Sequence, residues 1–551
     1  MREYTVLENQ IVKASTQDQT VNLVLYTLEQ KKQVLVFNNS KSRSEATAEK
    51  IANAINKPDN EEYLKDLSDK VLKAIPNPTK QCKRLAKTVE KGIAFHHSGL
   101  TSKQRALIEK NFKEGFIKVI SSTPTLAAGL NLPAYQVIIN DYKRYSPRGY
   151  NDIPVLEFHQ MAGRAGRPGK EKQGKAVVML KSEDEVDRVV PKYIHGKPEE
   201  IISKLAVEPT LKMYMLSLVA MDVINTKKEI KDFFSNTLYS HQYQDIESLQ
   251  YNLMKILGTL KDYGFVYQED DYYMATPLGK KISELYLSPD TAHHFIQYID
   301  KFIEIFSSNN VTKSDVYSLV YFVVDTMEMR PPVSLGRHEQ EHYVQRAEEV
   351  GDSLVVEFDP FEMDYEEFLK CLKLTDILTD WISEAPEDYL NEKYRITPGE
   401  LHYKIEVVDW LFYCLEEISL IKKNYFFRNY INKLRIRFKA GIRQELLPLI
   451  TLKGIGRVRA RRLHNAGYKK ILDLKRASFK SLSKVVGDNL ALKIKQQVEE
   501  NFDFEESQLK EKPKEIKVRE VSDIEVDEIL DTITKFEKEK QEKNMSLNDY
   551  F

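Results

Sequence analysis

The chain has 551 residues, 42% of them hydrophobic, and its 82 Lys and Arg nearly balance 83 Asp and Glu for a net charge of −1. That length allows several domains of ~100–200 residues with real apolar cores, which excludes a disordered protein, and the balanced charge excludes a global field that would attract nucleic acid. Cys82, Cys371 and Cys414 lie far apart without CxxC spacing, no apolar run reaches ~18 residues, and Met1–Gln10 has no signal-peptide pattern. The expectation is therefore a soluble, cytoplasmic protein with no metal site and no membrane partner.

Gln19–Gln30 predicts a helix, Gln33–Phe37 (QVLVF) a short buried strand ended by the polar turn Asn38-Asn39-Ser40, and Ser42–Ile55 another helix. The unit recurs: strand Ile93–Phe95, turn His96-His97-Ser98-Gly99, helix Ser102–Lys113, strand Ile117–Ser121, the segment Thr123–Gly129, strand Gln136–Ile139, and a last strand Ala176–Leu180. Such alternation predicts an α/β domain over residues 1–190, a parallel sheet flanked by helices with its working loops at the carboxyl ends of the strands. His96 and His97 have no carboxylate or cysteine at ligand spacing and read as a loop-packing pair. In the segment 141–158, Pro147 and Gly149 mark a hairpin turn. Its Tyr145 and Tyr150 suit stacking on unpaired bases, and its Lys143, Arg144 and Arg148 suit phosphates. Next comes EFHQMAGRAGRPG, Glu157–Gly169, where Arg164 and Arg167 stand three apart on one side of a helix beside Gly163 and Gly166. Two forked, permanently charged guanidinium groups at an open backbone suit a triphosphate.

Beyond residue 190 the pattern turns helical. Helices at Lys227–Ser235 and Asp245–Asp262 and a hairpin of Gly264–Tyr267 with Tyr272–Ala275 predict a winged helix over 191–287, acidic and tyrosine-rich, hence a docking domain. Long helices fill 288–440, among them Glu400–Glu417, where Tyr403 and Trp410, seven apart, share a face open either to base stacking or to a core. Between Lys433 and Arg476 fourteen Lys or Arg face only Glu445 and Asp473, so the missing positive field is local. Within 441–505 the Gly454-Ile455-Gly456 turn can present backbone N–H groups to a phosphate, with Lys453, Arg457, Arg459, Arg461 and Arg462 around it. Residues 506–551 are acidic and predicted to be disordered, ending in Leu547, Tyr550 and Phe551.

QMAGRAGR resembles motif VI of the superfamily 2 helicases, VLVFNNSK resembles motif IV, AFHHSGL the loop that follows it in Ski2-type enzymes, and SSTPTLAAGLNLPA motif V. GIGR followed by ARRL and AGY resembles a helix–hairpin–helix, and NMSLNDYF is similar to a sliding-clamp (PCNA) peptide, with Asn544 where that peptide usually has Gln. From about residue 30 to 505 the order is similar to the archaeal Ski2-type DNA helicases of the HelQ/Hjm kind. The resemblance implies a second RecA-like domain at 1–190, with Arg164 and Arg167 as arginine fingers beside Gln160, and Gly129, Asn131 and Gly163 near ATP. It further implies that Ser98 and Thr123 hold the DNA strand, that the 141–158 hairpin is a strand-parting wedge, and that 288–440 is a ratchet in which Tyr403 stands where relatives carry a basic residue and Trp410 is kept. The GxxxxGK[ST] loop and DExH strand that hold ATP and Mg²⁺ are not found: Gly279-Lys280-Lys281 lacks the phosphate-loop glycine, and Asp527-Glu528 sits in the acidic tail. The expectation is the C-terminal part of an ATP-dependent 3′-to-5′ helicase for single-stranded and forked DNA at stalled forks. It is either one piece of a split enzyme or a truncated one, inactive alone and completed by a separate chain with the first RecA-like domain. The rival expectations are a non-enzymatic DNA-binding and clamp-tethering subunit and a Ski2-type RNA helicase.

Overall fold

The apolar runs become strands because they are covered on both faces. The computed structural model describes residues 12 and 14–499, apart from 76–77, 130, 147–148, 167–172, 244–245, 308–310 and 356–364. In it β1 (Val34–Phe37), β2 (Ile93–His96), β3 (Val119–Ser122) and β4 (Gln136–Ile139) are buried at every position. After a separate two-stranded hairpin of β5 (Lys143–Ser146) and β6 (Gly149–Asp152), β7 (Lys175–Val178) completes a parallel sheet of order β2-β3-β1-β4-β7. The predicted helices form as α1 (Gln19–Glu29) and α2 (Lys41–Ala54). Two unpredicted helices follow, α3 (Glu61–Lys73) and α4 (Lys80–Val89), which bury Leu64, Leu67 and Val71, and Cys82, Leu85 and Val89. Then come α5 (Ser102–Glu114), the short α6 (Thr125–Gly129), α7 (Val155–Ala162) and α8 (Asp184–Val189). Phe37 is in register with Ser122 and Ile139, and His96 with Ser122. The loops after β1 to β4 therefore emerge side by side at one edge.

Helices Glu208–Ala220, Lys227–Ser235 and Ile246–Asp262, with the hairpin of β8 (Val266–Glu269) and β9 (Tyr272–Ala275), form the winged helix. It does not own its core. One apolar cluster runs from Leu211 through Phe295, Phe322 and Leu378 to Phe438, so segments 191–287 and 288–440 fold around shared residues. The helix Pro398–Ile421 starts at a capping box in which the Thr397 N–H and hydroxyl donate to Glu400 Oε2 at 3.0 and 2.6 Å.

Lys404, one residue after Tyr403, points into that core and donates from Nζ to the carbonyls of Met329 at 2.8 Å and Pro331 at 2.6 Å. Burial pushes its ammonium down to about 8. An unfolded chain, with this group near about 10.4, binds the proton more tightly between the two values, so the group's contribution to stability rises with pH across that window. Lys404→Met cannot titrate. The unfolding free energy of the wild type minus that of the variant should therefore grow by on the order of 2 kcal/mol from about pH 7.5 to about pH 9.5. Denaturant titrations at the two pH values check this, and a constant difference refutes it.

The chain divides after Leu447 into a second compact unit. Its helices are Arg457–Asn465, Ile471–Arg476, Phe479–Val486 and Asp488–Glu499. Two turns there use glycine in the left-handed region, Gly454 at φ +88° and Gly487 at φ +84°.

Candidate nucleic-acid interface

The loops at the sheet edge border a groove of about 670 Å³ lined by Asn39, Ser40, Ser98, Thr123, Thr125 and Gln160 among others. Its charged walls are matched: Lys41 pairs with Glu400, Arg144 with Glu157, and Arg43 with Asp141 at 2.8 Å. What remains to meet a ligand is a set of neutral hydroxyl and amide donors, which position a phosphate backbone without reading bases. Ser98 is exposed, and Thr123 shares a hydrogen bond with Thr125 at 2.9 Å.

The predicted loop-packing histidines find carboxylates that are remote in sequence. Gly99 N–H donates to His97 Nδ1 at 3.1 Å, which leaves the ring proton on Nε2, 3.1 Å from Glu45 Oε1. Burial pulls the Glu45 carboxyl upward, but hydrogen bonds from His97 and Gln81 and the Arg84 charge hold it below its usual value. His96 Nε2 lies 2.9 Å from Glu109 Oε1. Among the described residues no cluster of three or more His, Cys, Asp or Glu suits a metal.

Fixed in this way, the loop Ser98–Leu100 receives the start of the helix Pro398–Ile421. Gly399 N–H donates to the Gly99 carbonyl at 2.9 Å, and a Cβ on Gly399 would stand 2.2 Å from the Ser98 carbonyl oxygen. One turn on, Tyr403 is 53% exposed. Trp410 is half-buried, and its indole N–H donates to the Leu285 carbonyl at 3.2 Å, so this ring also ties the helix to the winged helix. Tyr403 is thus the open position, while Lys404 faces the core and His402 lies 3.7 Å from Glu387.

Helix α7 begins at Pro154, whose side chain cannot cap it. Glu199 caps it instead, accepting from Val155 N–H at 2.6 Å and Leu156 N–H at 3.0 Å. Gln160, expected at a nucleotide, lines the same groove as Thr123. Arg164 donates from Nε to the Ala127 carbonyl of α6 at 3.1 Å, and the backbone around it ladders onto Ala134: Ala134 N–H to Arg164 O at 3.0 Å, Gly166 N–H to Ala134 O at 2.7 Å. The segments resembling motifs V and VI are therefore one joined surface. Gly163 is half-buried, and Gly129 and Asn131 are exposed. The hairpin register sets Tyr145 opposite Tyr150, and its base is tied down by Tyr142 OH to Glu185 at 2.7 Å and Lys192 to Asp152 at 2.9 Å. Arg148, Arg167, Leu547, Tyr550 and Phe551 lie outside the described residues.

In the second unit, the turn before the helix Arg457–Asn465 is braced from two sides. Gln497 accepts from Lys453 N–H at 2.7 Å and donates to Lys453 O at 3.2 Å, while Arg459 Nη1 donates to Gly454 O at 2.7 Å. Among the described residues the N–H groups of Gly454 and Gly456 have no acceptor, as phosphate binding requires. Lys453 and Arg462 are exposed, Arg457 and Arg461 half-buried. A second turn at Gly487, before the helix Asp488–Glu499, escaped the sequence reading because VVGDNLA carries no basic residue. Gln497→Ala should weaken DNA binding about fivefold to tenfold, the loss of roughly one positioned hydrogen-bond pair, while leaving the salt dependence unchanged. Arg457→Gln with Arg462→Gln should flatten that dependence. Anisotropy titrations over a salt series separate the two, and equal slopes for both variants would count against this assignment.

Four family descriptions match the chain: "Helicase conserved C-terminal domain" over residues 62–169, "Helix-turn-helix domain" over 174–267, "Archaeal helicase, domain 4" over 317–441, and "SAM-like Helix-hairpin-helix tandem" over 446–500. The tandem agrees with the two glycine turns. Relatives named ATP-dependent DNA helicase Hel308 include that of Methanocella arvoryzae, 34% identical over 517 residues covering 92% of this chain and 68% of the relative. Those of Caldivirga maquilingensis and Pyrococcus horikoshii are each 36% identical, covering 87% and 84% of this chain and 65% and 63% of theirs. The chain thus spans about two thirds of these relatives, and it belongs to the Hel308 family of archaeal Ski2-like DNA helicases.

Proposed function

We propose that the chain is the DNA-gripping and arginine-supplying part of an ATP-dependent 3′-to-5′ DNA helicase acting on single-stranded and forked DNA. The supporting observation is the joint between groove and helix: Ser98, on the groove wall, is one residue from the Gly99 carbonyl on which the Tyr403-bearing helix starts. A strand held by Ser98, Thr123 and Thr125 would pass from the RecA-like domain toward Tyr403 and Trp410. The β5–β6 hairpin, with Tyr145, Arg148 and Tyr150, would part the duplex at the entrance. The turn at Gly454 and Gly456 would hold phosphates by sequence-independent contacts.

ATP and Mg²⁺ would be held mainly by a first RecA-like domain supplied in trans, with Arg164 and Arg167 completing the site from this side. When bound, the Mg²⁺ nucleotide supplies the phosphoryl transfer that drives domain closure. Arg164, joined to the Ala127 carbonyl, suits a group that reports nucleotide state to the groove rather than a freely swinging finger. Leu547, Tyr550 and Phe551 would tether the assembly to a sliding clamp. Mixing the purified chain with a protein bearing the phosphate loop and DExH strand should produce DNA-stimulated ATP hydrolysis. A mixture that binds DNA but stays inactive would leave a DNA-binding subunit instead.

A further inference from the structure

Residues 421–440 contain seven Lys or Arg and no acid, in a chain whose net charge is −1. They begin at the turn where the helix Pro398–Ile421 ends and the helix Tyr425–Ala440 starts. The turn is rigid: Lys423 N–H donates to Leu420 O at 2.9 Å, Asn424 N–H to Ser419 O at 2.9 Å, and Asn424 Oδ1 accepts from Phe427 N–H at 2.8 Å. The second helix meets its core with Phe427, Ile431, Leu434 and Phe438. Tyr425 and Phe426 are not needed there and stand 60% and 52% exposed. Lys422 pairs with Asp300 at 2.8 Å, and Arg428 with Glu416 at 3.4 Å. Lys423 and Lys433 are exposed and form no ion pair among the described residues, and Lys433, seven residues after Phe426, shares its face.

We propose that this turn is an additional contact for single-stranded nucleic acid, with Tyr425 and Phe426 stacking on unpaired bases and Lys423 and Lys433 meeting phosphates. Paired bases offer no free face to the two rings; Lys422, Arg428 and Arg435 are matched by acids from elsewhere in the fold, but the exposed Lys423 and Lys433 are complementary to a polyanion, so a single strand fits better than a duplex or an apolar protein surface. The turn lies eighteen residues beyond Tyr403, about 27 Å along the helix at ~1.5 Å per residue, so a strand would reach it only after several further nucleotides. The proposal rests on the reading that this helix lies along a strand.

The test uses the full chain with oligo-dT of increasing length, followed by anisotropy, and a 5-iododeoxyuridine oligonucleotide for photocrosslinking. Short oligonucleotides should bind the Tyr425→Ala/Phe426→Ala variant and the wild type equally. Long ones should bind the variant about tenfold more weakly, the loss expected from unstacking one base. Lys423→Gln should lower the salt slope for long oligonucleotides only, and crosslinked peptides should include Tyr425 or Phe426. Equal affinity at every length, with no crosslink in this turn, overturns the proposal; retention of a protein but not of an oligonucleotide by the wild-type turn also overturns it. Parallel Arg457→Gln/Arg462→Gln and Tyr403→Ala variants separate the two levels. If these weaken binding and the turn variants do not, only the turn proposal falls. If none of them matters, the underlying reading falls as well.

Discussion

Replacing Arg167 with alanine in the mixture of this chain and a phosphate-loop partner is expected to lower DNA-stimulated ATP turnover by about 10³-fold or more, the range in which a missing arginine finger acts. The reason is electrostatic. Charge spreads over the γ-phosphate oxygens at the transition state, and a guanidinium already in position stabilises it without reorganising. Arg164→Ala is expected to act differently. Its guanidinium holds the Ala127 carbonyl, so its loss should loosen α6 from α7 and uncouple DNA from turnover. Basal ATP hydrolysis should then fall less than its stimulation by DNA. Single-turnover assays with and without oligonucleotide distinguish the variants. If Arg167→Ala leaves turnover intact, the finger assignment is wrong.

The second large effect concerns Gly399. An added Cβ would stand 2.2 Å from the Ser98 carbonyl oxygen, 2.7 Å from that of Leu100 and 2.8 Å from the Gly99 carbonyl carbon, all backbone atoms of a loop braced by His97. Nothing there can rotate away. Gly399→Ala should therefore cost about 2–4 kcal/mol at this joint, at the upper end of overpacking penalties, and should separate helix from loop before the rest unfolds. Gly258→Ala is the matched control. It lies inside the helix Ile246–Asp262 with nothing within 4 Å of an added Cβ, and should stabilise by about 0.5–1 kcal/mol through helix propensity. Hydrogen exchange over residues 93–101 and 397–410 reads the joint directly. Unchanged protection in Gly399→Ala would show that the contact is not a constraint.

The sheet was legible because VLVF and its counterparts are continuous apolar runs, and a strand covered on both faces needs nothing else. Motif order pointed to the helicase C-terminal domain, and the basic run with its GIG turn pointed to the helix–hairpin–helix tandem. The helices α3 and α4 went unread although Leu64, Leu67 and Val71 have helical spacing, because the surrounding charge in EEYLKDLSDKVLK resembles a solvated linker. Pairings across the fold could not be read at all: Glu45 and Glu109 reach the histidines from α2 and α5, and Glu199 caps α7 from more than forty residues away. Lys404 misleads in the opposite direction. A lysine on an amphipathic helix normally reads as exposed, and only the carbonyls of Met329 and Pro331 explain why this one is not.

The matched charges of the groove bear on motion. A strand advancing past unmatched lysines must break an ion pair at every phosphate, and each break is a kinetic trap. Around Ser98, Thr123 and Thr125 the cations Lys41, Arg43 and Arg144 already have acid partners, so on the proposed reading a passing backbone would exchange one hydroxyl for the next. Such a surface would behave as a low-friction bearing. The strong electrostatic hold would then belong elsewhere in the chain, where a strand could be anchored and need not slide.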